Sequence, residues 1–295
     1  MNQRKAYIFA GMAIVCWATV ATAFKIALST MSNIDLLIIS SFSALIVLFC
    51  IVAFGKGLGR LKQVTARQWG RAAFMGFLNP FLYYLILFKA YALLPAQIAQ
   101  ALNCIWPVLL VLLSIPLLGQ KIPFLSVLAL LISFAGAVVV AFQGDFTGLS
   151  VKNPFGVFLA ALTSVMWALY FLLNMKNKLE EEVTLLLNFI FAAVYLAVLI
   201  GFTGFQSPEW KGWVAGIYVG LFEMGITFVF WLKALNMARN TATIGSLIYL
   251  FPFLSLILIH YLLGEEIFPS TIIGLLLIIV GILFNQFIMR KNKSR

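Results

Sequence analysis

Apolar residues run along this chain in long uncharged blocks rather than in alternation. Such blocks cover residues 6–24, 36–55, 72–88, 122–144, 153–175, 183–207, 240–264 and 267–289. Each is close to the roughly 20 residues that a helix needs to cross the hydrocarbon core. The block 90–120 is too long to be the end of one span, and Pro95 divides it, ending a third helix and starting a fourth. Residues 212–232 form a further span interrupted only by Glu223. The pattern predicts ten helices and an all-α integral membrane protein.

The blocks repeat. At an offset of 144, Gly76 falls on Gly220, Lys89 on Lys233 and Ala90 on Ala234. After a one-residue gap, Pro107 falls on Pro252, Leu117-Leu118-Gly119 on Leu262-Leu263-Gly264, and Gly136 on Gly281. The expected division is residues 1–148, with helices one to five, and 149–295, with helices six to ten. Five is odd, so the second copy enters the membrane upside down. Two inverted copies around a midplane site are the architecture of secondary transporters.

Composition agrees: 63% of residues are hydrophobic and 10% charged, too apolar for a soluble domain. The net charge of +11 is distributed by side. With the N-terminus inside, inner segments carry Arg4, Lys5, Lys56, Arg60, Lys62, Arg67, Arg71, Lys121, Lys176, Lys178, Arg239, Arg290, Lys291, Lys293 and Arg295. Outer loops carry only Lys152 and Lys211. This bias predicts both termini in the cytoplasm. It makes the charge a topology signal, so no nucleic-acid partner is expected. Ala21-Thr22-Ala23 could pass for a signal-peptidase site, but Trp17 falls near Trp167 across the repeat, so the first helix is expected to belong to the fold.

An ionisable group at mid-bilayer costs a few kcal/mol and is kept when it is used or paired. Glu223 sits eleven residues into its span, and its repeat partner is Asn79, followed by Pro80. The proline frees a backbone carbonyl at the same depth. The expectation is a midplane site with Glu223 and Asn79 facing each other across the substrate, Glu223 being also the proton-coupling candidate. The alternative is a structural hydrogen bond between packed helices. Tyr83 follows Asn79 by four residues and is read as sharing its face. Asn103 and Trp106 lie one turn apart before Pro107, with Ser246 and Tyr249 in the equivalent stretch before Pro252. Trp17 and Trp167 hold related places in helices one and six. An aromatic cavity with few polar groups suits an amphipathic organic solute. Gln97 and Gln100 are read as lining an entrance. Lys25, Lys89 and Lys233 are read as snorkelling, and His260 as interfacial. Cys16, Cys50 and Cys104 read as small buried hydrophobes, with no disulfide or metal site.

These residues and their spacing resemble a known family. Phe88-Lys89-Ala90-Tyr91-Ala92-Leu93-Leu94-Pro95-Ala96-Gln97, continuing to Pro107 and Leu118-Gly119-Gln120, resembles the repeat of the drug/metabolite transporter superfamily, EamA type. Leu232-Lys233-Ala234-Leu235, continuing to Pro252 and Leu263-Gly264-Glu265, resembles its second copy. That repeat ends its first copy in Gly-Glu, where this chain has Gln120. Asn103-Cys104-Ile105-Trp106-Pro107 looks like the fourth-helix segment of amino-acid exporters, which carry an aromatic-Leu-Trp-Pro version. The resemblance implies ten spans in two inverted five-helix repeats, and secondary transport of small organic metabolites, with amino-acid export foremost.

Other classes lack parts. One histidine and one deep carboxylate supply neither a zinc site nor a Ser-His machine. No phosphate-cradling loop is present, so gradients or exchange must drive the cycle, and no cofactor is expected. The expected partners are a small-molecule substrate, the lipid bilayer and protons, in a monomer or homodimer of the cell inner membrane. The alternatives are an uncoupled facilitator or importer, and, from another class, a receptor or assembly partner. A receptor would need an extramembrane surface that these short loops do not provide.

Overall fold

The computed structural model describes residues 2–55, 58–119, 123–141, 153–174, 179–238, 244 and 247–293. Among these every regular element is a helix. Nine helices are long and apolar enough to cross a membrane: α1 (Gln3–Leu28), α2 (Asn33–Phe54), α3 (Ala66–Leu93), α4 (Ala96–Leu117), α5 (Phe124–Ala141), α6 (Pro154–Asn174), α7 (Glu181–Thr203), α8 (Trp210–Met237) and α10 (Pro269–Ile288). A shorter apolar helix, α9 (Leu247–Leu263), completes ten. A separate helical turn, Leu58–Leu61, lies between α2 and α3.

Local signals fix the ends. Ser32 caps α2 by accepting from the Asp35 amide, and Thr65 and Gln68 form a reciprocal capping box at the start of α3. Pro95 separates α3 from α4, as expected. Gly119 closes α4 in the left-handed conformation at φ 66°, which glycine reaches without a Cβ penalty.

The helices group into two compact units, one of Met1–Phe88 with Lys178–Leu263, the other of Lys89–Asn177 with Gly264–Arg295. In the first unit α1 packs on α8 and α9, α2 on α7 and α8, and the start of α3 on α7. In the second unit α5 packs on α10, and α4 on α6. Lipid gives helices no hydrophobic drive to associate, so close approach over small residues takes its place. Accordingly Ala6 and Ala10 of α1 are buried against Ala234 and Ala238.

Repeat-related glycines make repeat-related contacts. A Cβ on Gly76 would collide with the Asn188 carbonyl of α7, and one on Gly220 with the Ser40 carbonyl of α2. In the second unit, a Cβ on Gly136 would meet the Gly274 carbonyl at 2.5 Å, and one on Gly281 the Ala129 carbonyl at 2.5 Å. Ser133 of α5 also donates to the Ile278 carbonyl of α10 at 3.1 Å.

Candidate functional site

Helices α3 and α8 are both interrupted in mid-span. In α3 the wide π-type turn covers Phe77–Leu82, and Asn79 is extended at φ −151° and ψ 120°. Pro80 is the cause: it lacks an N–H, and it disfavours helical geometry at the residue before it. In α8 the same kind of turn covers Gly220–Gly225 without a proline, between two glycines. Thr227 donates its hydroxyl to the Phe222 carbonyl five residues back. At the repeat offset of 144 the two interruptions coincide to within one residue. The pair singled out in the sequence, Asn79 and Glu223, falls inside them.

Glu223 is half-buried and its Oε1 accepts a hydrogen bond from the hydroxyl of Tyr84 at 3.1 Å. Asn79 is buried in the same unit, and no hydrogen bond joins it to Glu223 among the described residues. Tyr84 was not among the sequence candidates, and its neighbour Tyr83 was. The two rings meet edge to face at 4.8 Å, and both are buried. Tyr84 also lies 5.5 Å from Phe88, which meets Phe24 of α1 at 4.9 Å. The hydroxyl that reaches Glu223 is thus set on a packed aromatic support.

Further groups of the first unit border this region. Tyr218, five residues before Glu223, shares a 2.6 Å hydrogen bond with Thr19 of α1. Trp17 lies edge to face with Phe228 at 5.8 Å and with Trp231 at 5.6 Å, so it packs on α8. Tyr249 stands half-buried in a tight turn, Leu247–Leu250, at the start of α9. Ser246 lies outside the described residues.

The second unit has its own cluster. Helix α4 breaks between Asn103 and Trp106, with Pro107 starting its second segment. The Asn103 amide donates to Thr163 of α6 at 2.9 Å. Ser164 donates to the Leu102 and Asn103 carbonyls, at 2.7 and 3.1 Å, which partners carbonyls at the break. Trp106 stacks on Phe171 at 5.1 Å and 8°, and Phe171 meets Trp167 at 5.5 Å. Asn103, Trp106 and Trp167 therefore belong to one amide-and-ring cluster along α6.

Three polar groups have roles the sequence did not reveal. Gln97 is 1% exposed, so it lines no entrance. It accepts from the Phe268 amide at 3.0 Å and the Thr271 hydroxyl at 2.8 Å, and donates to the Glu266 carbonyl at 2.8 Å. Glu265 accepts from the Ala96 amide at 3.0 Å, so the α9–α10 connection is fastened to the start of α4. Asp35, buried at the start of α2, accepts from Ser32 at 2.6 Å and from the Gln206 amide at 3.1 Å, tying down the α7–α8 connection. Lys89, Lys233 and His260 are exposed, and Lys25 is half-buried. No cluster of three metal-ligating side chains occurs among the described residues.

This architecture has relatives. A solved crystal structure superposes with a TM-score of 0.67, covering 98% of this chain and 99% of that one at 24% identity, which shows the fold. A transporter of Clostridium kluyveri is 24% identical over 96% of this chain and 93% of its own. The aromatic amino acid exporter YddG of Ancylobacter novellus is 27% identical over 88% of this chain and 89% of its own. A probable terminal-alkyne amino-acid exporter of Streptantibioticus cattleyicolor is 25% identical over 92% and 90%. The EamA-like transporter family matches twice, over residues 4–142 and 154–287. With ten apolar helices among the described residues, matched interruptions in α3 and α8, and this double match over most of its length, the chain belongs to the EamA-like transporter family and is a membrane transporter, not an enzyme.

Proposed function

We propose that this transporter exports amino acids or related amphipathic metabolites across the cell inner membrane, with both termini in the cytoplasm. Access to the substrate alternates between the two sides, driven by exchange or by a proton gradient. The observation that carries the reading is the hydrogen bond from Tyr84 to Glu223 at the matched breaks of α3 and α8. One carboxylate oxygen is held, so the group is oriented for a second partner. A substrate ammonium or a proton is the partner that a carboxylate at membrane depth suits best. Asn79, Tyr83, Trp17 and Tyr249 are the further substrate contacts of the first unit in this reading. In the second unit, Asn103, Trp106 and Trp167 offer an amide and ring faces of the kind that amphipathic solutes bind.

Amino acids come first among the substrates because two of the relatives are named as exporters of amino acids. The test is transport in proteoliposomes. A panel of radiolabelled amino acids is loaded inside or outside, with and without an imposed pH gradient. The reading expects saturable flux of at least one amino acid, sensitive to Glu223→Gln. Flux of none of them, with a flux of other metabolites, would overturn the substrate class.

A further inference from the structure

The break in α8 is bridged by a second helix. Gly225 leaves helical geometry at φ −117° and ψ −92°, so the segments on its two sides are not held by one regular ladder. Both segments fasten to α1. Before the break, Thr19 donates its hydroxyl hydrogen to the Cys16 carbonyl at 2.6 Å. A threonine side chain has one such hydrogen, so in the 2.6 Å bond between Thr19 and Tyr218 the tyrosine is the donor. After the break, the Cys16 thiol interacts with the Thr227 hydroxyl, and Trp17 packs on Phe228 and Trp231. Thr227 is fully buried and donates in turn to the Phe222 carbonyl, which belongs to the peptide unit that carries the Glu223 amide. The path leaves α8 at Tyr218, crosses α1 at Thr19 and Cys16, and returns to α8 at the peptide of Glu223.

This wiring belongs to the repeat that carries the carboxylate. With Trp17 set on Trp167, Cys16 and Thr19 fall on Met166 and Leu169, and at the offset of 144 Tyr218 falls on Phe74. The other copy, whose break carries Asn79, is thus built with apolar residues at those three places. We propose that Thr19 and Tyr218 are positioning residues for Glu223: through them α1 splints the broken α8 and sets the direction of the carboxylate. Tyr84 holds one carboxylate oxygen from α3, and the path through α1 holds the backbone from which the side chain starts. Two supports on two helices fix the group at its tip and at its root. The consequence for transport rests on the reading of Glu223 as the group that meets the substrate or the proton.

The first measurement is infrared difference spectroscopy of the transporter in lipid, acidified to protonate Glu223, whose carboxyl C=O stretch is the band missing from Glu223→Gln. Thr19→Val and Tyr218→Phe should each displace this band. Thr19→Ser, which keeps the hydroxyl, should return it to its wild-type position. The second measurement is the substrate affinity of transport in proteoliposomes. Thr19→Val should weaken it by about threefold to tenfold, the size of one neutral hydrogen bond, and should have no effect in the Glu223→Gln background. An unmoved band, or an equal loss of affinity with and without the carboxylate, would overturn the inference and reduce the link to helix packing. Wild-type affinity in Glu223→Gln would remove the proposed role of that residue in transport. The band then decides alone, displaced in support of the splint and unmoved against it. Should Thr19→Val lower the yield, Tyr218→Phe, which keeps its ring on Phe222 at 4.6 Å, serves for both measurements.

Discussion

Tyr84 donates its hydroxyl to Glu223, the residue that occupies in the second repeat the place Asn79 occupies in the first. The bond joins α3 to α8 where both helices leave regular geometry. It is made five residues after Asn79, not four. A π-type turn holds an extra residue, and each extra residue rotates the downstream side chains by about 100°. That rotation presents Tyr84 to Glu223 in place of Tyr83.

Glu223→Gln keeps the shape of the side chain and one acceptor for Tyr84. The variant should fold and reach the membrane at wild-type yield. In proteoliposomes it should lose pH-gradient-driven transport while substrate exchange continues. If the carboxylate also pairs with a substrate ammonium, affinity should fall by about 1.5–3 kcal/mol, the size of a hydrogen bond to a charged group. Wild-type kinetics in a well-folded variant would exclude both roles.

Tyr84→Phe removes the hydroxyl and retains the ring packing on Phe88. Its effect on substrate affinity should be about 1 kcal/mol or somewhat more, given a charged acceptor. Combined with Glu223→Gln, the two losses should not add, because they disrupt one interaction. Strict additivity in the double-mutant cycle would show that the hydroxyl acts elsewhere.

Gly76→Ala and Gly220→Ala should lower thermal stability together, since each sets a methyl against a partner backbone carbonyl. Overpacking of this kind costs about 1–3 kcal/mol, and backbone cannot yield as a side chain can. By contrast Gly201, with no atom beyond its own helical turn within 4 Å of its Cβ position, should accept alanine without loss. A thermal-shift assay in detergent ranks the three. A neutral Gly76→Ala would contradict the close approach of α3 and α7.

The orientation of the chain is checked by cysteine labelling in a background lacking Cys16, Cys50 and Cys104. An impermeant maleimide applied outside should label Lys152→Cys and spare Lys62→Cys. Labelling of Lys62→Cys alone would invert the topology. Labelling of both would be incompatible with ten helices.

Much of the fold was legible in the sequence because it rests on local quantities. Block length against bilayer thickness gave the helices. Self-similarity at offsets of 144 and 145 gave the repeat, whose glycines make matching contacts. A lone carboxylate inside an apolar block marked Glu223. What the linear pattern lacks is the geometry of interruptions and the identity of distant partners. Periodicity assumes a uniform 3.6 residues per turn, so the proline at position 80 was visible but the rotation it imposes was not. Nor was there any proline in α8 to announce the second break.

Gln97 shows the same limit: a glutamine near a helix start reads as solvent-facing. Only tertiary contact, 171 residues away at Phe268, makes it a buried clamp. Asp35 carried no signal in the linear pattern, and its partner, the Gln206 amide, lies 171 residues away. The sequence by itself determined what the bilayer demands of each segment, because that is a transfer energy summed along the chain. The tertiary structure alone decided which polar groups meet, because a hydrogen bond depends on position to within an ångström and on residues far apart in sequence.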